Sequence, residues 1–126
     1  MVAQPSTAND PPKATDRKYA PDSFADRLWD FLGEDHTEVH LGAFLAPHDG
    51  EWIRIGGYLT DTMSGQAIKI CLRSNPKGTG GHIWIEMVDG STAHVAQIKR
   101  YAHVRVECQI VADDRGRYDF QCGQLL

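Results

Sequence analysis

The chain of 126 residues carries six histidines, three cysteines, seventeen carboxylates and a glycine-rich loop, and none of them forms a catalytic motif. His36-Thr37-Glu38-Val39-His40 is not the H-E-x-x-H zinc-protease signature, because its glutamate falls one place late to act as that base. In an extended segment His36, Glu38 and His40 would share a face and could ligate a metal. Polar residues at period two also arise wherever a strand face meets solvent, so no metal is assigned. Ser64 and Ser91 lie in turn-like stretches with no histidine and acid at a recognisable spacing, and His82, His94 and His103 are dispersed. Gly78-Thr79-Gly80-Gly81 lacks the Lys-Ser/Thr of a phosphate-binding loop and reads as a mobile connection. Cys71, Cys108 and Cys122 are odd in number and have no C-x-x-C spacing, which excludes a disulfide scaffold or zinc ribbon. They sit in apolar runs, where a thiol behaves as a small buried hydrophobe. The expectation is a protein without catalysis and without a cofactor.

A second set of residues suits binding. Arg54, Tyr58, Lys69, Arg73, Lys77, His82, Trp84, Arg115 and Arg117 interleave cations with aromatics, and single-stranded nucleic acid is held by cations on its phosphates and rings stacked on its bases. Overall charge does not advertise this, since the formal net charge is −4. The average conceals a division. Residues 1–50 carry four Lys and Arg against nine acids, a net of −5, whereas residues 51–126 carry nine against eight, a net of +1.

The elements that must position these residues begin at Glu51. Alternation at period two marks strands. In the first strand Ile53, Ile55 and Leu59 point inward and Trp52, Arg54 and Tyr58 outward, with Gly56-Gly57 suited to a sharp bend or bulge. The second strand buries Ile68, Ile70 and Leu72 and exposes Lys69, Cys71 and Arg73. The third buries Ile83, Ile85 and Met87 and exposes His82, Trp84 and Glu86. Between these two strands, 75–81 reads as a flexible loop carrying Lys77. Ser91 to Arg100 reads as a short helix with Val95 and Ile98 inward. The fourth strand buries Val104, Val106, Cys108 and Ile110, and the fifth buries Tyr118, Phe120 and Cys122. Asp113 to Gly116 makes the turn between them.

Three strands, a helix and two further strands, with glycines kinking the first, is the order of a mainly β, five-stranded OB-fold-like Greek-key barrel. The helix at 91–100 favours it over an SH3-like barrel or a small β-sandwich. Val104-Arg105-Val106-Glu107-Cys108-Gln109-Ile110 followed by Tyr118-Asp119-Phe120-Gln121-Cys122 resembles the closing hairpin of the bacterial tRNA_anti-like OB-fold proteins. Ile53-Arg54-Ile55-Gly56-Gly57-Tyr58-Leu59 is similar to their opening strand. The resemblance covers about residues 51–124, and Cys108 stands where that family usually has glycine. An OB fold implies a ligand on the face of strands two and three, flanked by the first-second and fourth-fifth loops. The expected partner is single-stranded nucleic acid, bound through the outer face of strands one to three. The alternative is a protein-interaction, adaptor or inhibitor module that uses the acidic N-terminal region.

That region divides in two. Residues 1–21 hold few large apolar side chains and read as a disordered tail. Residues 22–50 read as a helix, with Asp22 or Ser23 as cap, Phe24, Leu28, Phe31 and Leu32 as its stripe and Gly33 as its stop. An extra edge strand over 37–46 follows, with Val39, Leu41, Ala43 and Leu45 on one face, and a helix over 34–46 is the alternative reading. That strand would seal a sheet edge or present one to another copy, giving a homo-oligomer. The helix would also offer cover for Trp84. No basic-then-apolar leader and no stretch long enough to span a membrane is visible, and free cysteines suit a reducing compartment. A cytoplasmic protein is expected.

Overall fold

The computed structural model describes residues 16–126. In it β1 (Trp52–Met63), β2 (Lys69–Arg73), β3 (His82–Met87), β4 (His103–Ala112) and β5 (Tyr118–Leu125) close a barrel in the order β1-β2-β3-β5-β4. All pairings are antiparallel except β3 with β5. β1 is long because it serves two partners, β4 over Trp52–Tyr58 and β2 over Tyr58–Met63. Its bulge lies between Leu59 and Asp61, not at the glycine pair.

The glycines have another task. Gly57 faces inward, where a Cβ would lie 3.0 Å from Trp29 Cζ2 and 3.2 Å from Leu72 Cβ. Trp29 belongs to α1 (Phe24–Gly33) and donates its indole N–H to Gly56 O at 2.9 Å. At Gly81 a Cβ would come within 2.7 Å of the Leu32 backbone, so this glycine lets α1 lie against the start of β3. Phe24, Leu28 and Leu32 thereby join a core that includes Ile53, Ile55, Ile70, Leu72, Ile83, Ile85, Val106, Cys108 and Ile110. The apolar stripe of α1 is thus buried on the barrel core and on Gly57 and Gly81. α3 (Thr92–Ala96) buries Val95 in the same core, with Ile98 partly covered.

Several expectations change. Residues 38–45 form a helix, α2 (Glu38–Leu45), in place of the extra edge strand. Thr37 and His40 cap it reciprocally, His40 N–H donating to Thr37 Oγ1 at 3.3 Å and Thr37 N–H to His40 Nδ1 at 3.2 Å. The imidazole stands where a glutamate or glutamine usually completes such a box. Phe44 then stacks on Phe31 and Phe24, with centroids at 4.7 and 5.5 Å. This leaves His36, Glu38 and His40 on a helix start, and no group of three or more metal-donor side chains occurs among the described residues.

The second change concerns the tail. Residues 1–15 lie outside the described part, but 17–20 run as a strap along the start of β1. Tyr19 bridges Trp52 in parallel, with Ala20 N–H donating to Trp52 O at 2.9 Å and Trp52 N–H to Lys18 O at 2.8 Å. The Arg17 guanidinium lies 3.9 Å over the Trp52 ring. Trp52 does point outward, yet this strap buries it.

The third is a register shift in β5. Cys122 takes φ +56, and Gly123, not Cys122, faces Ile85 and Met87. A Cβ on Gly123 would sit 2.6 Å from Met87 Sδ, so no larger residue fits without movement.

Candidate nucleic-acid interface

The strand faces bring Arg73, Lys77, His82 and Trp84 together, and the fold adds two residues that strand alternation does not reach. A cleft of about 200 Å³ is lined by these four side chains with Arg100, Tyr101, Thr60, Asp61, Cys71 and Gly78. Cys71, expected outside, is buried on its wall as the cross-strand partner of Trp84. Trp84 is half-buried.

The cations are aimed by backbone carbonyls. Arg73 Nη1 donates to Gly80 O at 2.8 Å, and Arg100 Nε donates to Thr60 O at 2.8 Å. Each contact uses one of the five donors of a guanidinium, so the fork is oriented while other N–H groups remain for a ligand. Lys77 comes from a loop that is folded, contrary to the mobile connection expected. Asn75 Oδ1 accepts from Lys77 N–H at 3.0 Å and Thr79 N–H at 3.3 Å, while Asn75 Nδ2 donates to Thr79 O at 2.6 Å. Gly78 and Gly80, at φ +72 and +81, supply the left-handed turns that this loop requires.

Tyr101 is the more telling addition. It is 45% exposed and holds φ +71, a conformation strained for a bulky side chain. Its backbone is fixed there by the Tyr101 N–H to Leu59 O bond at 2.6 Å and the Leu59 N–H to Ala102 O bond at 2.9 Å. The Arg100 guanidinium lies 5.1 Å from the ring centroid. The ring thus faces solvent beside the cations of the cleft. Arg100 and Tyr101 sit in the segment between α3 and β4, outside the strand faces from which the site was expected. The adjacent Lys99-Arg100-Tyr101 was the signal.

His82 faces the same cleft. Burial and then the nearby Arg73 lower its pKa below the ordinary histidine value, so the ring is neutral at pH 7. Asp61 is the carboxylate of the lining, and its Oδ1 accepts the Thr62 N–H at 2.9 Å.

The remaining expected residues lie elsewhere. Lys69 is exposed on β2 toward the β1–β2 turn and does not line the cleft. Tyr58 is half-buried, its ring meeting His103 edge-on at 5.0 Å and 82°. Arg54 donates from Nε to Glu107 Oε1 at 2.8 Å and lies 4.8 Å from the Tyr19 ring. Arg115 and Arg117 line a different groove, beside α2, where Arg117 meets Asp113 at 3.4 Å and Glu38 at 3.9 Å. The β4–β5 turn folds toward α2, which a strand reading of 37–46 could not anticipate.

No protein-family model and no curated protein matches the chain. Solved structures do match it. The "putative nucleic acid-binding lipoprotein" of Klebsiella pneumoniae superposes with a TM-score of 0.58 at 14% identity, covering 93% of this chain and 99% of its own. A mitochondrial single-stranded DNA binding protein from S. cerevisiae matches with a TM-score of 0.45 at 18% identity, over 62% of this chain and 96% of its own. At 14% identity the likeness to the Klebsiella protein is one of fold alone. Taken with the closed five-stranded order and the helix between β3 and β4, the fold is an OB barrel. No helix among the described residues is long and apolar enough to cross a membrane.

Proposed function

We propose that this chain binds single-stranded nucleic acid, without catalysis, in the cleft between the β2–β3 loop and the α3–β4 segment. One observation carries the reading: three cations, Arg73, Lys77 and Arg100, converge with two exposed or half-exposed rings, Trp84 and Tyr101, on one side of the barrel. Phosphates need the cations and bases need the rings. Support also comes from the OB fold, from the name of the Klebsiella neighbour and from the resemblance of the closing hairpin to the tRNA_anti-like proteins. Three free cysteines support a reducing, cytoplasmic setting.

The test is Trp84→Ala titrated by fluorescence anisotropy against labelled oligo-dT and oligo-U. Loss of one stack is worth about 1–3 kcal/mol, so affinity for both should fall roughly 5- to 150-fold. Unchanged affinity in a folded variant would show Trp84 to be structural and would remove it from the site.

A second reading, docking of a basic protein, is supported by Asp22, Asp26, Asp30, Glu34 and Asp35, which are all exposed on or beside α1. It is the reading left standing if oligonucleotides fail to bind at low salt.

A further inference from the structure

The cleft opens onto a row of side chains that crosses four strands. His82 on β3 is paired in register with Arg73 on β2, Arg73 with Tyr58 on β1, and Tyr58 with His103 on β4. Cross-strand partners share a face, and Arg73 and His82 line the cleft, so the whole row lies on the outer surface. His103 and Arg105 are exposed. Gly56, the partner of Arg105, has no side chain to stand above them, and a Cβ there would come within 3.0 Å of His103 Cε1. The surface beyond Tyr58 is therefore a low saddle with a cation at its far side. Past it lies a second cleft, of about 450 Å³, whose lining includes Tyr19, Asp22, Arg54 and Arg105.

The acids nearby do not cancel this charge. Glu107 is buried and engaged by Arg17, Arg54 and Tyr19, so its negative charge is matched by two guanidinium groups. Asp22, at the second cleft, and Asp61, in the first, flank the row, and neither is part of it.

We propose that the bound strand continues out of the first cleft, perpendicular to the β-strands, over Tyr58 and His103 to Arg105 and the second cleft. This rests on the single-strand reading of the first cleft. Neighbouring strands are about 4.8 Å apart, and two residues along a strand add about 7 Å. The path from His82 to Arg105 is then roughly 20 Å, which at about 3.4 Å per stacked nucleotide holds at most about six. Tyr58 supplies a stacking surface between the clefts, and Arg105, with the exposed part of Arg54, supplies phosphate contacts at the far end.

The experiment uses the full chain with fluorescein-labelled dT4 and dT10, in anisotropy titrations at several salt concentrations. The wild type should bind dT10 at least about twentyfold more tightly than dT4. The double variant His103→Ala with Arg105→Ala, both on exposed positions, should bind dT10 about five- to tenfold more weakly. It should also lower the salt slope for dT10 by about 0.7 for each phosphate no longer neutralised, and leave dT4 unchanged. Equal affinity of the wild type for dT4 and dT10 would overturn the path while leaving the first cleft intact. So would a variant that retains full affinity and slope for dT10, or one that weakens dT4 as much as dT10. Failure of the wild type to bind either oligonucleotide would overturn the first cleft and the path together.

Discussion

Removing the carboxylate of Glu107 should release the N-terminal strap and destabilise the whole barrel. Glu107 points outward from β4 but is covered by residues 17–20, and its side chain and that of Arg17 each retain 6% exposure. Arg17 and Arg54 donate to opposite oxygens, and Tyr19 Oη donates to Oε1 at 2.9 Å. Breaking a buried, hydrogen-bonded pair by removing its carboxylate costs about 3–5 kcal/mol. The Arg54 contact adds little, because Arg54 keeps 56% exposure and solvent screens it. Against a total of about 5–15 kcal/mol, the loss is large. For a domain of this size it corresponds to a fall in Tm of roughly 10–20 °C. Glu107→Ala, followed by thermal and urea unfolding, reads this directly.

The pH dependence has a definite sign. Burial opposes ionisation of Glu107, but hydrogen bonds from Arg54, Tyr19 and Arg17 outweigh it and hold the carboxyl below its ordinary value. A depressed carboxylate contributes stability that is present above the unfolded value, about pH 4.3, and is lost as the pH falls through the folded value. Glu107→Gln should therefore be less stable at pH 7 and lose less on acidification than the wild type. A change below about 1 kcal/mol in both variants, with the acid limb of the wild type preserved in Glu107→Gln, would refute the view that this network fixes the strap.

Tyr101→Gly separates stability from binding: it relieves the positive φ, so the fold should be as stable or about 1 kcal/mol more stable. Oligonucleotide affinity should nonetheless drop roughly fivefold or more, as compared by urea unfolding and anisotropy. Because burial and then Arg73 hold the His82 pKa below the usual histidine value, about 6.5, acidification from there down through the depressed value adds a cation to the cleft. Affinity should rise over that interval in the wild type and stay flat in His82→Ala. Gly123→Ala places a methyl 2.6 Å from Met87 Sδ and 2.7 Å from Ile85 Cγ2 and should cost about 1–3 kcal/mol in urea unfolding.

The sequence reads well where one residue pattern answers to one environment. Ile53, Ile55 and Leu59 alternate with Arg54 and Tyr58 because one side of β1 meets the core, and that alternation gives the barrel its faces. It reads poorly where a distant residue decides. Thr37 to Leu45 alternates like a strand, but His40 caps Thr37 and Phe44 finds two phenylalanines of α1, so it is helical. Residues 17–20 are too polar to bury themselves, and residues far along the chain, Glu107 and Trp52 among them, hold them down. The bulge at Cys122 moves the inward position by one residue, which alternation alone cannot register. Half of the cleft was legible for the same reason as the barrel. Arg100 and Tyr101 were not, because a connecting segment has no period from which to read a facing direction.

The salt dependence of single-strand binding tests the central claim most directly. With Arg73, Lys77 and Arg100 each neutralising one phosphate, the logarithm of the association constant for dT4 should fall with the logarithm of salt at a slope of about −2. Alanine at any one of the three should reduce that slope by about 0.7. Absence of binding at low salt, or binding whose strength does not change with salt, would contradict the assignment of this cleft to nucleic acid.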